Sequence, residues 1–146
     1  GKIAIPDAIL NKNGRLTKEE YEIMKTHAQK GAELLAQIPQ MRSHAAFRYA
    51  YDIALHHHER WDGRGYPDGL VGEETPVWTQ IVALADVYDA LVSKRCYKEA
   101  YSFDTAVHMI VEGQCGIFGP RILEHFQAAE PALRKMYLRG MEGKGI

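Results

Sequence analysis

Apolar residues recur at helical spacing along most of the chain. Tyr21, Met24, Ala28, Leu34, Leu35 and Ile38 keep roughly to one face, the period that lets an α-helix bury a single stripe. Thr17, with Glu20 three residues on, forms a capping box ahead of them. The pattern predicts a helix from near Lys18 through Gln37, with Gly31 at a kink or a close helix contact and Pro39 ending the segment. A second helix is predicted from about His44 to His58. The stretch from Trp61 to Gly69 is too rich in glycine and proline to be anything but a loop. Thr75-Pro76 opens the next helix, since proline suits a first turn, and Ile81, Leu84, Ala85, Tyr88 and Leu91 carry it to about Ser93. Two more are expected, from Phe103 to about Glu112 and from Arg121 to about Met136. Residues 140–146 read as a frayed tail. No segment alternates as a strand does. The fold class is therefore all-α, with one domain over residues 1–139.

Composition narrows the class without choosing a function. The 146 residues are enough for a single domain with a real core. Apolar residues make up 46% and charged residues 25%, an ordinary soluble balance. A formal net charge of -1 gives no reason to expect polymeric nucleic acid or acidic membranes as partners. Phosphate binding would need a local cluster of positive charge. Cys96 and Cys115 are too few for a disulfide scaffold and match no zinc spacing; they read as ordinary thiols in a reducing cytoplasm. No apolar run approaches the ~20 residues of a membrane span.

Candidate chemistry gathers in three places. His56-His57-His58-Glu59 ends a helix and feeds the glycine-rich loop. Consecutive helical residues point about 100° apart, so neighbouring histidines are poorly placed to chelate one ion but can serve two side by side. A polar helix end that suits the dipole is the competing reading. Asp86 and Asp89 lie three apart on an otherwise apolar helix, where a bare charge is costly to bury and needs a partner. A metal is favoured for Asp86, while structural pairing is equally open for Asp89. Lys94 to Lys98 concentrates positive charge just after that helix. It reads either as a phosphate clamp or as a basic helix end offsetting the dipole. His27 alone would pass for a surface or core histidine. His44, His108 and His125 read as structural, and His56 as a support for the ligands.

Taken together these pieces resemble the HD-GYP domain family, a branch of the HD phosphohydrolases. The family's central motif, His-His-Glu-Arg-Trp-Asp-Gly-x-Gly-Tyr-Pro, stands intact from His57 to Pro67. Its shorter markers appear in order: Gly1-Lys2, Ile5-Pro6-Asp7, Leu16-Thr17 with Glu20, Met24-Lys25 with His27, the run Ala85 to Leu91, and Arg95 with Tyr97-Lys98. The similarity covers residues 1 to about 128. It implies an HD-domain-like helical bundle that hydrolyses the bacterial second messenger cyclic di-GMP to pGpG or GMP. It also implies metal ligands at His27, His57, His58 and Asp86, in a binuclear or trinuclear centre of iron or manganese. Lys2 would lie beside the metals on the substrate phosphate, and Arg95 and Lys98 would bind the dinucleotide's phosphates. Gly65, Tyr66 and Pro67 would form the loop that touches substrate and GGDEF-domain partners. Mixed imidazole and carboxylate ligation suits those metals, and paired ions are apt for phosphodiester chemistry.

The family's His-Asp dyad, which would directly precede Gly1, is not in the sequence. The expectation is that the domain is N-terminally truncated here and that this fragment is a weak catalyst, the activity belonging to the parent domain. Core surface left uncovered would then be met by a homodimer or a partner. An upstream sensor or receiver domain, membrane-anchored or not, is also expected. Cys96 stands where the family has proline, and Gly119-Pro120 where it has Asp-Pro. Two alternatives stay open. One is a degenerate signalling module that binds a cyclic dinucleotide or a GGDEF partner without catalysis; the other is an HD-type hydrolase of another nucleotide, such as cyclic GMP-AMP.

Overall fold

The computed structural model of the chain describes residues 1–94 and 99–142. Its α-helices are α1 (Asp7–Leu10), α2 (Lys18–Lys25), α3 (His27–Gln37), α4 (Pro39–Arg42), α5 (Phe47–His56), α6 (Val77–Val92), α7 (Phe103–Val111) and α8 (Pro120–Glu142). Among the described residues only the isolated bridges Asp62↔Val71 and Gln114↔Gly116 have β character. The fold is the all-α bundle that the sequence predicts. None of the described helices is long and apolar enough to cross a membrane.

The predicted helix from Lys18 to Gln37 is in fact two. Its start is as expected: Thr17 Oγ1 accepts from Glu20 N at 3.2 Å, and Thr17 N donates back to Glu20 Oε2 at 2.7 Å. The break comes at Thr26, not Gly31. The Thr26 hydroxyl donates to Ile23 O at 2.7 Å and the His27 ring lies 2.7 Å from Met24 O. Those are the carbonyls a continuing helix would offer to the next amides, and side chains that compete for them bend or end a helix. Gly31 instead serves close approach, since a Cβ there would sit 3.2 Å from the Gly1 backbone. Pro39 does end α3, and it also begins α4 at the first turn. Ile38, just before it, is held extended at φ -91°, ψ 108°, as a residue preceding proline must be.

Helix α3 lies along α5, α5 along α6, and α6 along α7. The buried face of α3 consists of His27, Ala28, Gly31 and Ala32, small residues apart from the histidine, which lets the helices come close. The main core is built from Ala83, Leu84, Tyr88 and Leu91 of α6, Ala106 and Ile110 of α7, and Phe118, Ile122 and Phe126. Helix α8 runs past Pro131 to Glu142, beyond the predicted stop near Met136. It is tied to α6 on both sides of the proline. Tyr88 Oη donates to Glu130 at 2.9 Å, and Tyr137 Oη donates to Asp89 at 2.6 Å. An open groove of about 700 Å³ runs between α6 and α8, lined by apolar side chains that include Val77, Ile81 and Leu133.

Candidate metal centre

His27 opens α3, while His57 and His58 follow directly after α5. His57 keeps helical backbone angles and its amide donates to Ile53 O at 3.1 Å, while His58 lies in the turn that follows. Both turn toward His27. His27 Nε2 lies 3.2 Å from His57 Nε2 and 3.1 Å from His58 Nε2, and one nitrogen from each ring falls within 4.8 Å of the others. The three rings thus form a group that could hold a metal ion.

The far side of two rings fixes what the near side can do. His27 Nδ1 is 2.7 Å from Met24 O, and His57 Nδ1 is 2.9 Å from Ile53 O. A carbonyl only accepts, so each Nδ1 carries a proton, and in the neutral ring each Nε2 then presents a lone pair. Two such lone pairs facing each other at 3.2 Å repel unless a cation lies between them. Burial, with repulsion from His57 and His27, pushes the His58 imidazole down to about 3. His27 is likewise lowered, mainly by burial. Neutral imidazole is the ligand form. A spacing of 3.1–3.2 Å also matches two nitrogens on one ion with metal–nitrogen bonds of about 2.1 Å. These three residues fit a divalent metal.

Around them stands the motif that follows. Tyr66 stacks on His58 with ring centroids 4.7 Å apart and planes 25° from parallel. Gly65 makes this possible because its Cα packs onto the chain at Glu59: a Cβ would lie 2.3 Å from Glu59 Cα and 2.5 Å from Arg60 N. His56 reaches Asp68 at 2.8 Å and so supports the loop, not the ligands directly. Arg60 Nε donates to Cys115 O at 3.3 Å, and Trp61 N donates to Ile117 O at 2.9 Å. The motif's arginine and tryptophan thus lock the histidines to the segment joining α7 and α8. A polar cleft of about 340 Å³, which His58, Arg60, Arg64, Tyr21 and Tyr66 help to line, opens beside them.

The remaining expected residues are distributed as follows. Lys2, exposed in a 3-10 turn, is close enough that its charge depresses both His27 and His58. Asp86 is exposed on α6 and outside the three-histidine group, though its charge is felt at Tyr66 and Arg60. Asp89 takes the structural option, accepting from Ser93 and Tyr137. Arg95 and Lys98 lie outside the described residues. The residue that sequence reasoning missed is Glu59. It is 3% exposed, and its carboxylate accepts from the backbone amides of Asp68, Gly69 and Leu70. An acidic residue directly before a glycine-rich loop was the available signal.

The HD domain model matches residues 1–122. A cyclic di-GMP phosphodiesterase of Vibrio cholerae is 49% identical over 131 residues, 89% of this chain and 27% of the relative. The cyclic di-GMP phosphodiesterase response regulator RpfG of Xanthomonas campestris pv. campestris is 48% identical over 124 residues, 85% of this chain and 32% of the relative. A 3'3'-cGAMP-specific phosphodiesterase 2 of Vibrio cholerae is 39% identical over 124 residues, 85% of this chain and 23% of the relative. The chain thus spans 23–32% of the length of these relatives.

Proposed function

The chain belongs to the HD domain family, and from that premise we propose that it is the catalytic part of a metal-dependent phosphodiesterase of the HD-GYP type that opens cyclic di-GMP. The observation that carries this is the meeting of the His27, His57 and His58 Nε2 atoms, two of them with their Nδ1 protons already engaged. Relatives named for cyclic di-GMP hydrolysis at 48–49% identity supply the substrate.

The three histidines would hold one ion of a binuclear centre, with iron or manganese favoured by the mixed nitrogen and oxygen donors. Asp86, outside that group but with its charge felt at Tyr66, would serve the second ion. When bound, the metals supply Lewis-acid polarisation of the phosphodiester and activation of water. The chain's own residues bind and orient. Lys2 attracts a substrate phosphate beside the histidines, Arg95 and Lys98 engage the dinucleotide's other phosphate, and Tyr66 shields one face of His58. The partner set extends to a GGDEF-domain protein at the Gly65-Tyr66-Pro67 loop. A receiver domain would sit elsewhere in the longer protein, as the name of the response-regulator relative suggests.

A second reading, hydrolysis of 3'3'-cGAMP, is favoured by the relative of that name. The deciding assay follows both dinucleotides with iron-loaded and manganese-loaded protein whose chain carries a His-Asp pair ahead of Gly1. The expected result is pGpG or GMP from cyclic di-GMP, lost in a His57→Ala variant. Absence of turnover with every cyclic dinucleotide overturns the proposal, and turnover of cGAMP alone selects the second reading.

A further inference from the structure

Glu59 has a different task from the histidines before it. Its carboxylate is buried, yet it points away from the metal ligands and into the loop that follows. Oε1 accepts from Asp68 N at 2.8 Å and Gly69 N at 3.1 Å, and Oε2 accepts from Leu70 N at 3.1 Å. Three backbone donors on one carboxylate form a charge-assisted clasp, and they leave Glu59 outside the group that could hold an ion. The clasp closes a circuit. The chain leaves His58 and Glu59, turns through Gly65, whose Cα packs on Glu59, and brings Tyr66 N to His58 O at 3.3 Å. The Tyr66 ring is thereby laid on the His58 imidazole at 4.7 Å. His56 adds a second tie at Asp68. Without the carboxylate, three amides at a part-buried site lose a charged acceptor, a state that the loop relieves by moving.

We propose that Glu59 is a positioning residue: by clasping residues 68–70 it holds Tyr66 against His58 and so fixes the orientation of that ligand. This rests on the reading that the three histidines bind a divalent metal. Groups that orient a metal ligand from behind commonly alter affinity by 10–100-fold when removed. The side-chain change that isolates the effect is Glu59→Gln, which keeps the shape but turns an amide NH₂ toward a backbone donor.

Two measurements on the folded protein test it. The first needs no metal: imidazole NMR should show His58 losing the ring-current shift from Tyr66 in E59Q, while His27 stays put. The second is a Mn²⁺ titration, in which E59Q should bind at least tenfold more weakly. In a Tyr66→Ala background E59Q should add less than twofold, because the route from Glu59 to His58 is already cut. Should E59Q fail to fold, Glu59→Asp, one methylene shorter with its charge kept, is read the same way. Mn²⁺ affinity within twofold of wild type, or equal losses with and without Tyr66, overturns the proposal. If wild-type protein takes up no Mn²⁺, the metal reading fails and the His58 resonances alone decide on Glu59.

Discussion

Gly65 packs so tightly that a methyl group has nowhere to go, since the nearest atoms are backbone of Glu59 and Arg60 and no rotamer can relieve the clash. Gly65→Ala should therefore destabilise the protein by about 1–3 kcal/mol, the usual cost of overpacking. It should also lift Tyr66 off His58, and urea denaturation with the His58 ring shift as a second probe checks both. His57 is the other residue with a sharp expectation. Replacing it by alanine removes one of the three converging nitrogens, so Mn²⁺ uptake should fall by orders of magnitude while the helical circular dichroism persists. Retention of wild-type affinity would mean that the cluster is not the metal site.

Between elements, α6 carries two different kinds of acidic contact. Asp89 faces α8 through Tyr137, and Tyr88, one residue earlier, reaches Glu130, which is 7% exposed and also accepts from Arg134 at 3.0 Å. Arg134 in turn reaches Asp104 of α7 at 2.6 Å. This network anchors the long helix α8 around its internal Pro131. Tyr88→Phe deletes one hydrogen bond to a buried charge and should cost about 1.5–3 kcal/mol, read from the urea midpoint at an unchanged slope. Metal affinity should not move, since Tyr88 faces the core and not the histidines. A coupled loss of Mn²⁺ binding would show that α8 communicates with the centre.

On the scale of the molecule, the proposed metal ligands come from α3 and from the end of α5, which pack side by side but are 30 residues apart in the chain. An ion bound only in the native state adds stability by mass action, about 2.7 kcal/mol at a hundredfold excess over its dissociation constant. Mn²⁺ should raise the melting temperature, and a chelator should reverse the gain. The His57→Ala variant should show little of either. A melting temperature indifferent to both would indicate that no ion bridges these elements.

Much of this protein was determined locally and is therefore legible in order along the chain. The capping box at Thr17, the helical apolar spacing of α6 and the proline at its start, Pro76, act through neighbours a few residues away, and the structure bears them out. The intact run from His57 to Pro67 identified the family for the same reason, because a contiguous motif needs no tertiary knowledge to be read. What only the tertiary structure decided depends on side chains competing for backbone groups and on contacts across space. Thr26 and His27 divert two carbonyls and split one predicted helix into two. The packing of α3 beside α5 brings His27 to His57 and His58, a meeting across 30 residues that no local spacing announces. The carboxylate of Glu59 gained its meaning only when the loop folded back to meet it, because spacing cannot say which donors a buried charge will find.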